Sequence, residues 1–234
     1  MNKNLSACTI KYIAVLAMII DHIAWCFIDT YSLIGEVMHA IGRMTAPIMT
    51  FFIVEGFHNT RNSNKYLLRL GIFAAISYFP YTFMTHGAFF PENTIPYQSV
   101  IYTFFLTALS LKIIHSDKMR GISKLLLCLI IIILSIIGDW CFFPIVWALL
   151  FDRYRGNFKM QAAAFIFSSV LMITAIGTVH QSIYRYGVLL ALIPLYFYNG
   201  KRGKLFGEKA DKWFFYIFYP LHMLILGLIK NTLI

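Results

Sequence analysis

Long apolar stretches alternate with short polar segments along the whole chain. Nine of these stretches approach the length of about 20 residues that a helix needs to cross a bilayer. They cover 10–28, 37–57, 66–85, 98–115, 122–138, 140–152, 161–178, 183–198 and 213–230. The stretch 140–152 has only 13 residues, and we interpret it as a tilted or re-entrant helix. The pattern predicts an all-α polytopic membrane protein with about nine transmembrane helices, in a single domain over 1–234.

The composition agrees with a membrane location. The chain is 59% hydrophobic and 13% charged, whereas a soluble domain carries about 25% charged residues. The four cysteines have neither a CxxC nor a metal-like spacing. We therefore expect no disulfide framework and no metal site.

Basic residues fall almost entirely in alternate polar segments. With the N-terminus inside, the cytoplasmic segments hold 17 of the 20 Lys and Arg residues. The opposite segments hold Asp29, Glu36, Glu92 and Asp139 and almost no basic residue. This distribution follows the positive-inside rule and predicts an N-in, C-out topology. It also accounts for most of the net charge of +10 without a nucleic-acid partner.

An ionisable pair interrupts the first stretch, "KYIAVLAMIIDHIAWCF" (11–27), at Asp21 and His22. A charge at the centre of a membrane helix costs roughly 2.5–3.5 kcal/mol, so such residues usually face a cavity. Lys11 precedes His22 by eleven residues, close to three turns, which places both on one helix face about 16 Å apart along the axis. A coenzyme A thioester, with phosphates at one end and a reactive acyl group at the other, fits this arrangement.

Other interpretations of these three residues stay open. Lys11 is also explained as a positive-inside anchor, and Asp21 as a polar interhelical contact with His22 as its neighbour. Adjacent helical residues point about 100° apart, so we do not expect Asp21 and His22 both to face one small pocket. His22 is the stronger chemical candidate because a neutral imidazole can accept a proton.

A second polar group lies in and after the second stretch. Arg43, inside the membrane region, either holds a substrate carbonyl or pairs with Asp21. Glu55 and His58 share a helix face near the cytoplasmic end. The basic loop that follows either clamps phosphates or serves only topology. The candidates for binding the acyl donor are Lys11, Arg61, Lys65, Tyr66 and Arg69, and those for binding substrate are Glu55, His58, His222 and Asp139.

The last stretch contains a second buried imidazole. His222 follows Pro220 at about the depth of His22, so the two rings either share a cavity or His222 bonds the carbonyl that Pro220 frees. Cys26 lies four residues after His22, on the same face. It is either an acyl carrier or a small core residue.

Several segments together resemble the TraX family of integral membrane proteins. They are "MIIDHI" in the first stretch, "IGRMTAPIMTFFIVEGFHNTRNSNKYLLRLGIFA" after it, "YNGKRG" at 198–203 and "FYIFYPLHMLIL" at 215–226. The resemblance covers nearly the whole chain. Two positions depart from the expected pattern: Ala24 stands where a glycine is expected, and "GDWC" at 138–141 replaces a "DYG"-like segment.

The resemblance implies a membrane acetyltransferase, since the family's namesake acetylates the N-terminus of a conjugative pilin subunit. It also implies a relation to larger membrane acyltransferases, in which a basic residue and a histidine eleven positions later mark the acyl-donor site. Lys11 and His22 match that spacing. We therefore expect a multi-pass protein of the bacterial cytoplasmic (inner) membrane, with acetyl-CoA as donor and an amine or hydroxyl as acceptor. A homodimer is left open.

In the expected mechanism His22 is the general base, Asp21 orients or tunes it, and Arg43 polarises the carbonyl or stabilises the oxyanion. The alternative is a proton-coupled transporter or channel with a relay through Asp21, His22, Arg43 and Glu55. The chain shows neither the internal repeat nor the glycine-broken helix pairs that favour a transporter.

Overall fold

The computed structural model describes residues 3–92, 95, 97–176 and 183–233, and within them it contains helices and no strand. The prediction of an all-α fold is confirmed. The elements are α1 (Ala7–Phe27), α2 (Leu33–Arg43), α3 (Thr45–Asn59), α4 (Ser63–His86), α5 (Val100–Ile114), α6 (Gly121–Ser135), α7 (Phe143–Arg153), α8 (Phe158–Ile176), a 3-10 segment (Ile183–Ala191), α9 (Leu192–Tyr196) and α10 (Glu208–Leu233).

Five segments among the described residues are long and apolar enough to cross a membrane. They are α1, the combined segment Leu33–Asn59, α4, α8 and α10. Shorter apolar helical segments cover Val100–Ile114, Gly121–Ser135 and Ile183–Tyr196. Each corresponds to a predicted stretch. The end of the seventh predicted stretch, 177–178, lies outside the described residues.

The second predicted stretch, 37–57, is two helices and not one. α2 ends at Arg43, α3 begins at Thr45, and the Met44 N–H bonds the Ile41 carbonyl in a tighter turn. Pro47 lies in the first turn of α3, where its missing N–H breaks no helical hydrogen bond. Arg43 therefore closes one helix, and Pro47 lies just after the start of the next.

Two other predicted stretches are also less regular than a full spanning helix. α7, in the sixth stretch, has only 11 residues, as its short apolar length suggested. The eighth stretch, 183–198, begins as the 3-10 segment and continues as the five-residue α9.

The loop with the sequence "YNGKRG" holds the start of α1. The carbonyls of Lys201 and Arg202 accept hydrogen bonds at 2.9 Å from the N–H groups of Ala7 and Cys8, which have no partner inside their own helix. Gly203 has a φ of +64°, and a Cβ there would lie 2.2 Å from Ser6 Oγ. Only glycine adopts this positive φ readily and also leaves room for the Ser6 side chain. The loop thereby places Arg202 beside the beginning of α1.

α1 packs against α2, α3 and α10. The contact with α2 depends on Gly42, because a Cβ at that position would lie 2.1 Å from the Cβ of Asp21. Small residues permit such close helix approach in membranes, where apolar burial alone does not drive association. The exposed apolar side chains of α6 and α8, such as Ile133 and Phe167, form the kind of surface that lipid covers.

Candidate active site

A single cavity of about 960 Å³ connects most of the predicted site residues. It lies between α1, α2, α3, α4, α5 and α10 and the loops that follow α6 and α9. Eight of the twelve predicted residues line it: Lys11, Asp21, His22, Arg43, Glu55, Tyr66, Arg69 and Asp139. Lys11 and His22 therefore share one cavity wall on α1, as their spacing predicted.

We call the end of the cavity that Asp21 and His22 line the deep end. There, His22 is in direct contact with His222. The distance from His22 Nδ1 to His222 Nε2 is 2.8 Å, and the ring centroids lie 5.0 Å apart. His222 Nδ1 lies 2.9 Å from the carbonyl oxygen of Phe218. We expected the alternative partner of His222 to be the carbonyl that Pro220 frees, four residues before the proline at Tyr216. The observed acceptor is Phe218, so the two rings pair and His222 also bonds the backbone.

This chain of contacts fixes where the protons of two neutral rings lie. The Phe218 carbonyl can only accept, so His222 Nδ1 carries the hydrogen and His222 Nε2 keeps a lone pair. His22 Nδ1 must then donate to His222 Nε2. The lone pair of His22 is consequently on Nε2. A backbone carbonyl thus sets the tautomer of a cavity-lining histidine through a second histidine.

The partner of Asp21 is His39, a residue that sequence reasoning missed. His39 Nδ1 lies 2.7 Å from Asp21 Oδ1, and the His39 side chain is fully buried. Its Nε2 has no hydrogen-bond partner among the described residues. Asp21 and His22 both line the cavity, against our expectation that they would not share a small pocket, because the cavity is large. The sequence offered one indication of its position: His39 lies four residues before Arg43, so the two side chains share a face of the same helix.

Arg43 lies in an aromatic enclosure. Its guanidinium carbon is 4.9 Å from the ring centroid of Trp140, 5.1 Å from that of Tyr184 and 5.8 Å from that of Trp25. The structure gives it no ion pair with Asp21, and its buried Nε has no hydrogen-bond partner in the described part of the chain. Aromatic faces stabilise a cation without occupying its N–H donors, so this guanidinium keeps donors for a further group.

The other end of the cavity is rich in cations. The Lys11 ammonium lies 5.3 Å from the ring centroid of Phe52 and 5.5 Å from that of Phe215. The Arg69 guanidinium lies 6.0 Å from the ring centroid of Tyr66, and its buried Nε has no partner among the described residues. Arg202 and Lys212 also line this end. We call Lys11, Arg69, Arg202 and Lys212 the basic mouth.

The acidic residues near the basic mouth already have partners. Glu55 accepts from Arg155 Nε at 2.8 Å. Asp211 accepts from the Tyr12 hydroxyl at 2.9 Å and from two backbone N–H groups. Glu208 lies 3.8 Å from Arg202 in an exposed pair. The positive charge of the mouth is therefore only partly offset.

Four predicted residues do not line the cavity. Arg61 and Lys65 are exposed on the loop and the start of α4, which leaves a topological role as their structural explanation. His58 points to Asp152 of α7 and not to the cavity, although Glu55 on the same helix does line it. His222 lies behind His22. Cys26 lines the cavity as a buried free thiol.

Two comparisons with known proteins find related sequences over nearly the whole chain. The model of the TraX protein family matches residues 6–230. The probable fimbrial assembly protein FimC, serogroup H1, of Dichelobacter nodosus is 32% identical, and the match covers 96% of this chain and 96% of that protein. No solved structure matches. The family match includes both histidines of the deep end and the whole basic mouth, and the chain belongs to the TraX family.

Proposed function

We propose that this protein is a membrane-embedded acetyltransferase that moves an acetyl group from acetyl-CoA to an amine or hydroxyl acceptor. The proposal rests on one observation: a single cavity extends from the basic mouth to His22, which is hydrogen-bonded to His222 behind it. The mouth suits the phosphates of coenzyme A, and the histidine pair suits the proton transfer that acyl transfer needs.

The proposed orientation follows the charges. The basic mouth faces the cytoplasm of a bacterium, as the positive-inside distribution predicts for an N-in protein with about nine crossings. The phosphates bind near Lys11 and Arg69, and the pantetheine arm runs along α1. Eleven residues of helix separate Lys11 from His22, a rise of about 16 Å. The thioester then lies at the deep end.

In the proposed reaction, His22 Nε2 removes a proton from the acceptor as the acceptor attacks the thioester carbon. The tetrahedral intermediate carries a negative oxygen, which the N–H donors of Arg43 stabilise. Collapse of the intermediate expels the coenzyme A thiolate, and His22 returns the proton to that sulfur. Atoms and charge balance without a metal or a redox cofactor.

His222 and the pair of Asp21 with His39 have supporting roles in this scheme. His222 is a positioning residue, because it holds the tautomer in which His22 Nε2 can accept a proton. Asp21 bonds His39 and not His22, so it acts on the site through charge and packing. Of the two roles expected for Asp21, tuning His22 through charge therefore fits this contact better than orienting it.

An amine is the preferred acceptor. The relative from Dichelobacter nodosus is described as a probable fimbrial assembly protein, and the family resemblance implies acetylation of a pilin N-terminus. A peptide with a free N-terminal amine is therefore the first acceptor to test, with amino sugars and hydroxyls as alternatives.

The transporter hypothesis finds less support in the contacts. A proton relay needs continuous hydrogen bonds, whereas Glu55 pairs with Arg155 and Asp21 pairs with His39, both apart from the bond between His22 and His222. The pair of Glu55 lies near the basic mouth, and the pairs of Asp21 and His22 at the deep end share no hydrogen bond with each other among the described residues.

The test begins with donor binding, measured by thermal unfolding of the detergent-purified protein with acetyl-CoA, coenzyme A and dephospho-coenzyme A. Ligand bound to the native state raises the melting temperature. We expect the largest shift with acetyl-CoA and a smaller one without the 3′-phosphate. Transfer of radiolabelled acetyl groups to a peptide amine then tests turnover. A well-folded protein with no shift for any of the three ligands would refute the proposal.

A further inference from the structure

A second cluster of ionisable side chains lies outside the cavity. His58 is near the end of α3, His115 follows the end of α5, and Asp152 is in the last turn of α7. His58 Nε2 lies 2.5 Å from Asp152 Oδ1, and His115 Nε2 lies 2.8 Å from Asp152 Oδ2. Each residue offers one ligand atom, and these three atoms lie within 4.8 Å of one another.

We propose that His58, His115 and Asp152 form a binding site for a divalent transition-metal ion, with Zn²⁺ as the best match. Two imidazoles and one carboxylate are ligands that Zn²⁺ commonly takes, with a fourth position left to water. The three residues lie at or just after the ends of three helices that are distant in sequence. This site does not depend on the proposed acetyltransferase function.

The geometry needs only small side-chain adjustments to accept the ion. Zinc bonds of about 2.0–2.2 Å in a tetrahedral site set neighbouring ligand atoms roughly 3.3 Å apart. The two imidazole nitrogens are now closer than that to the carboxylate oxygens. Ring and carboxylate movements of about 1 Å open the required space.

The protonation change is also modest. In the hydrogen-bonded cluster each neutral imidazole donates its Nε2 hydrogen to Asp152. To bind the ion through Nε2, each ring places its hydrogen on Nδ1 by exchange with water, and Asp152 gives up two accepted hydrogen bonds for one bond to the metal. The three ligands keep the same total number of protons in this exchange.

The cluster is accessible to ions. The exposed fractions of the side chains are 25% for His58, 42% for His115 and 12% for Asp152. The two rings meet at 87°, with centroids 5.2 Å apart, so their nitrogens approach the carboxylate from different directions. An ion enters from the surface and keeps a water ligand there.

A bound ion would tie α3 to α7 beside the basic mouth. Glu55 lies three residues before His58 on α3, Arg155 lies three residues after Asp152, and these two residues form the ion pair at the mouth. The metal site would therefore stabilise the relative position of these helix ends. Its role is structural and separate from the histidines of the deep end.

The test uses the full-length protein without an affinity tag, treated with a chelator and then supplied with Zn²⁺ or Co²⁺. We expect one Zn²⁺ per chain by elemental analysis, a higher melting temperature, and the intense visible absorption of tetrahedral Co²⁺. His58→Gln, His115→Gln and Asp152→Asn should each lower the affinity about tenfold or more. His86→Gln, at the exposed end of α4, is the matched control and should bind like the wild type.

Two results would overturn the site. One is wild-type protein that binds no Zn²⁺ at micromolar free metal and shows no Co²⁺ absorption or thermal shift. The other is equal binding by the wild type and the variants, which would mean an adventitious ion only. If a variant fails to fold, the Co²⁺ spectrum and stoichiometry of the wild type still decide the outcome.

Discussion

The two ends of the cavity differ in how their polar groups are held. At the basic mouth, Lys11 and Arg69 lie beside aromatic rings, and no described carboxylate pairs with them. At the deep end, His22 is tied to a second histidine and Asp21 to a third. The mouth therefore offers charge to a ligand, and the deep end offers a fixed proton acceptor.

This difference suggests a division between binding and chemistry. Cations without protein partners can exchange water for phosphate, which gives affinity. Side chains that are already hydrogen-bonded keep one orientation, which gives a prepared site for reaction. Substitutions at the two ends should therefore change different kinetic constants.

The largest effect is expected for His22→Ala at the deep end. Loss of a general base lowers kcat by about 10²–10⁴-fold, while the thermal shift with acetyl-CoA should persist because the basic mouth is intact. Acetyl transfer and ligand-induced unfolding shifts measure the two properties. His86→Ala, outside the cavity, should retain activity, and a fully active His22→Ala protein would remove His22 from the mechanism.

A smaller loss is expected at His222, which acts through His22. His222→Leu removes the acceptor that fixes the His22 tautomer and should lower kcat about 10–100-fold, with little change in KM for acetyl-CoA. His222→Gln, whose amide oxygen can accept the same hydrogen bond, should recover part of the activity. Equal loss in both variants would indicate a purely structural role for His222.

At the mouth, Lys11→Ala should weaken acetyl-CoA binding about 10–100-fold and leave kcat nearly unchanged, because a charge-assisted phosphate contact contributes about 1.5–3 kcal/mol. The matched control is Lys65→Ala, since Lys65 is exposed and does not line the cavity. Titrations followed by melting temperature give both affinities. Equal weakening by the two substitutions would mean that the basic loop and not the cavity binds the donor.

The smallest effect is expected for Glu55→Gln, which neutralises the partner of Arg155 at the mouth. Partly exposed ion pairs contribute about 0.2–1 kcal/mol, so acetyl-CoA affinity should rise by no more than about fivefold. The rise should shrink at high salt. A fall in affinity at low salt would show that Glu55 contacts the substrate directly.

Spacing within one helix predicted the site better than pairing between helices. The eleven residues from Lys11 to His22 placed both on one cavity wall, because helical geometry relates positions on the same element. His39 was missed as the partner of Asp21 because that contact depends on how closely α2 approaches α1 at Gly42. Sequence periodicity carries no information on that distance.

The break at Met44 and the cluster at His58 show the same limit. A single residue between Arg43 and Thr45 separates two helices within one apolar stretch. A hydropathy pattern does not detect so short an interruption. His58 was predicted to bind substrate because it shares a helix face with Glu55. Its partners His115 and Asp152 lie at the ends of other helices. Their juxtaposition follows from the packing of α3, α5 and α7.

In the proposed complex, the acyl end of the donor reaches His22 while its phosphates stay at the basic mouth. Bromoacetyl-CoA tests this directly, because its bromomethyl carbon alkylates a nearby nucleophile with loss of bromide. The Cys8→Ser/Cys26→Ser protein is the background, since both thiols line the cavity, and it must still be stabilised by acetyl-CoA. Mass spectrometry should find the adduct on His22, with less of it in the presence of acetyl-CoA or after Lys11→Ala. An adduct confined to residues of the basic mouth, or none at all in protein that binds the donor, would contradict this orientation of the donor.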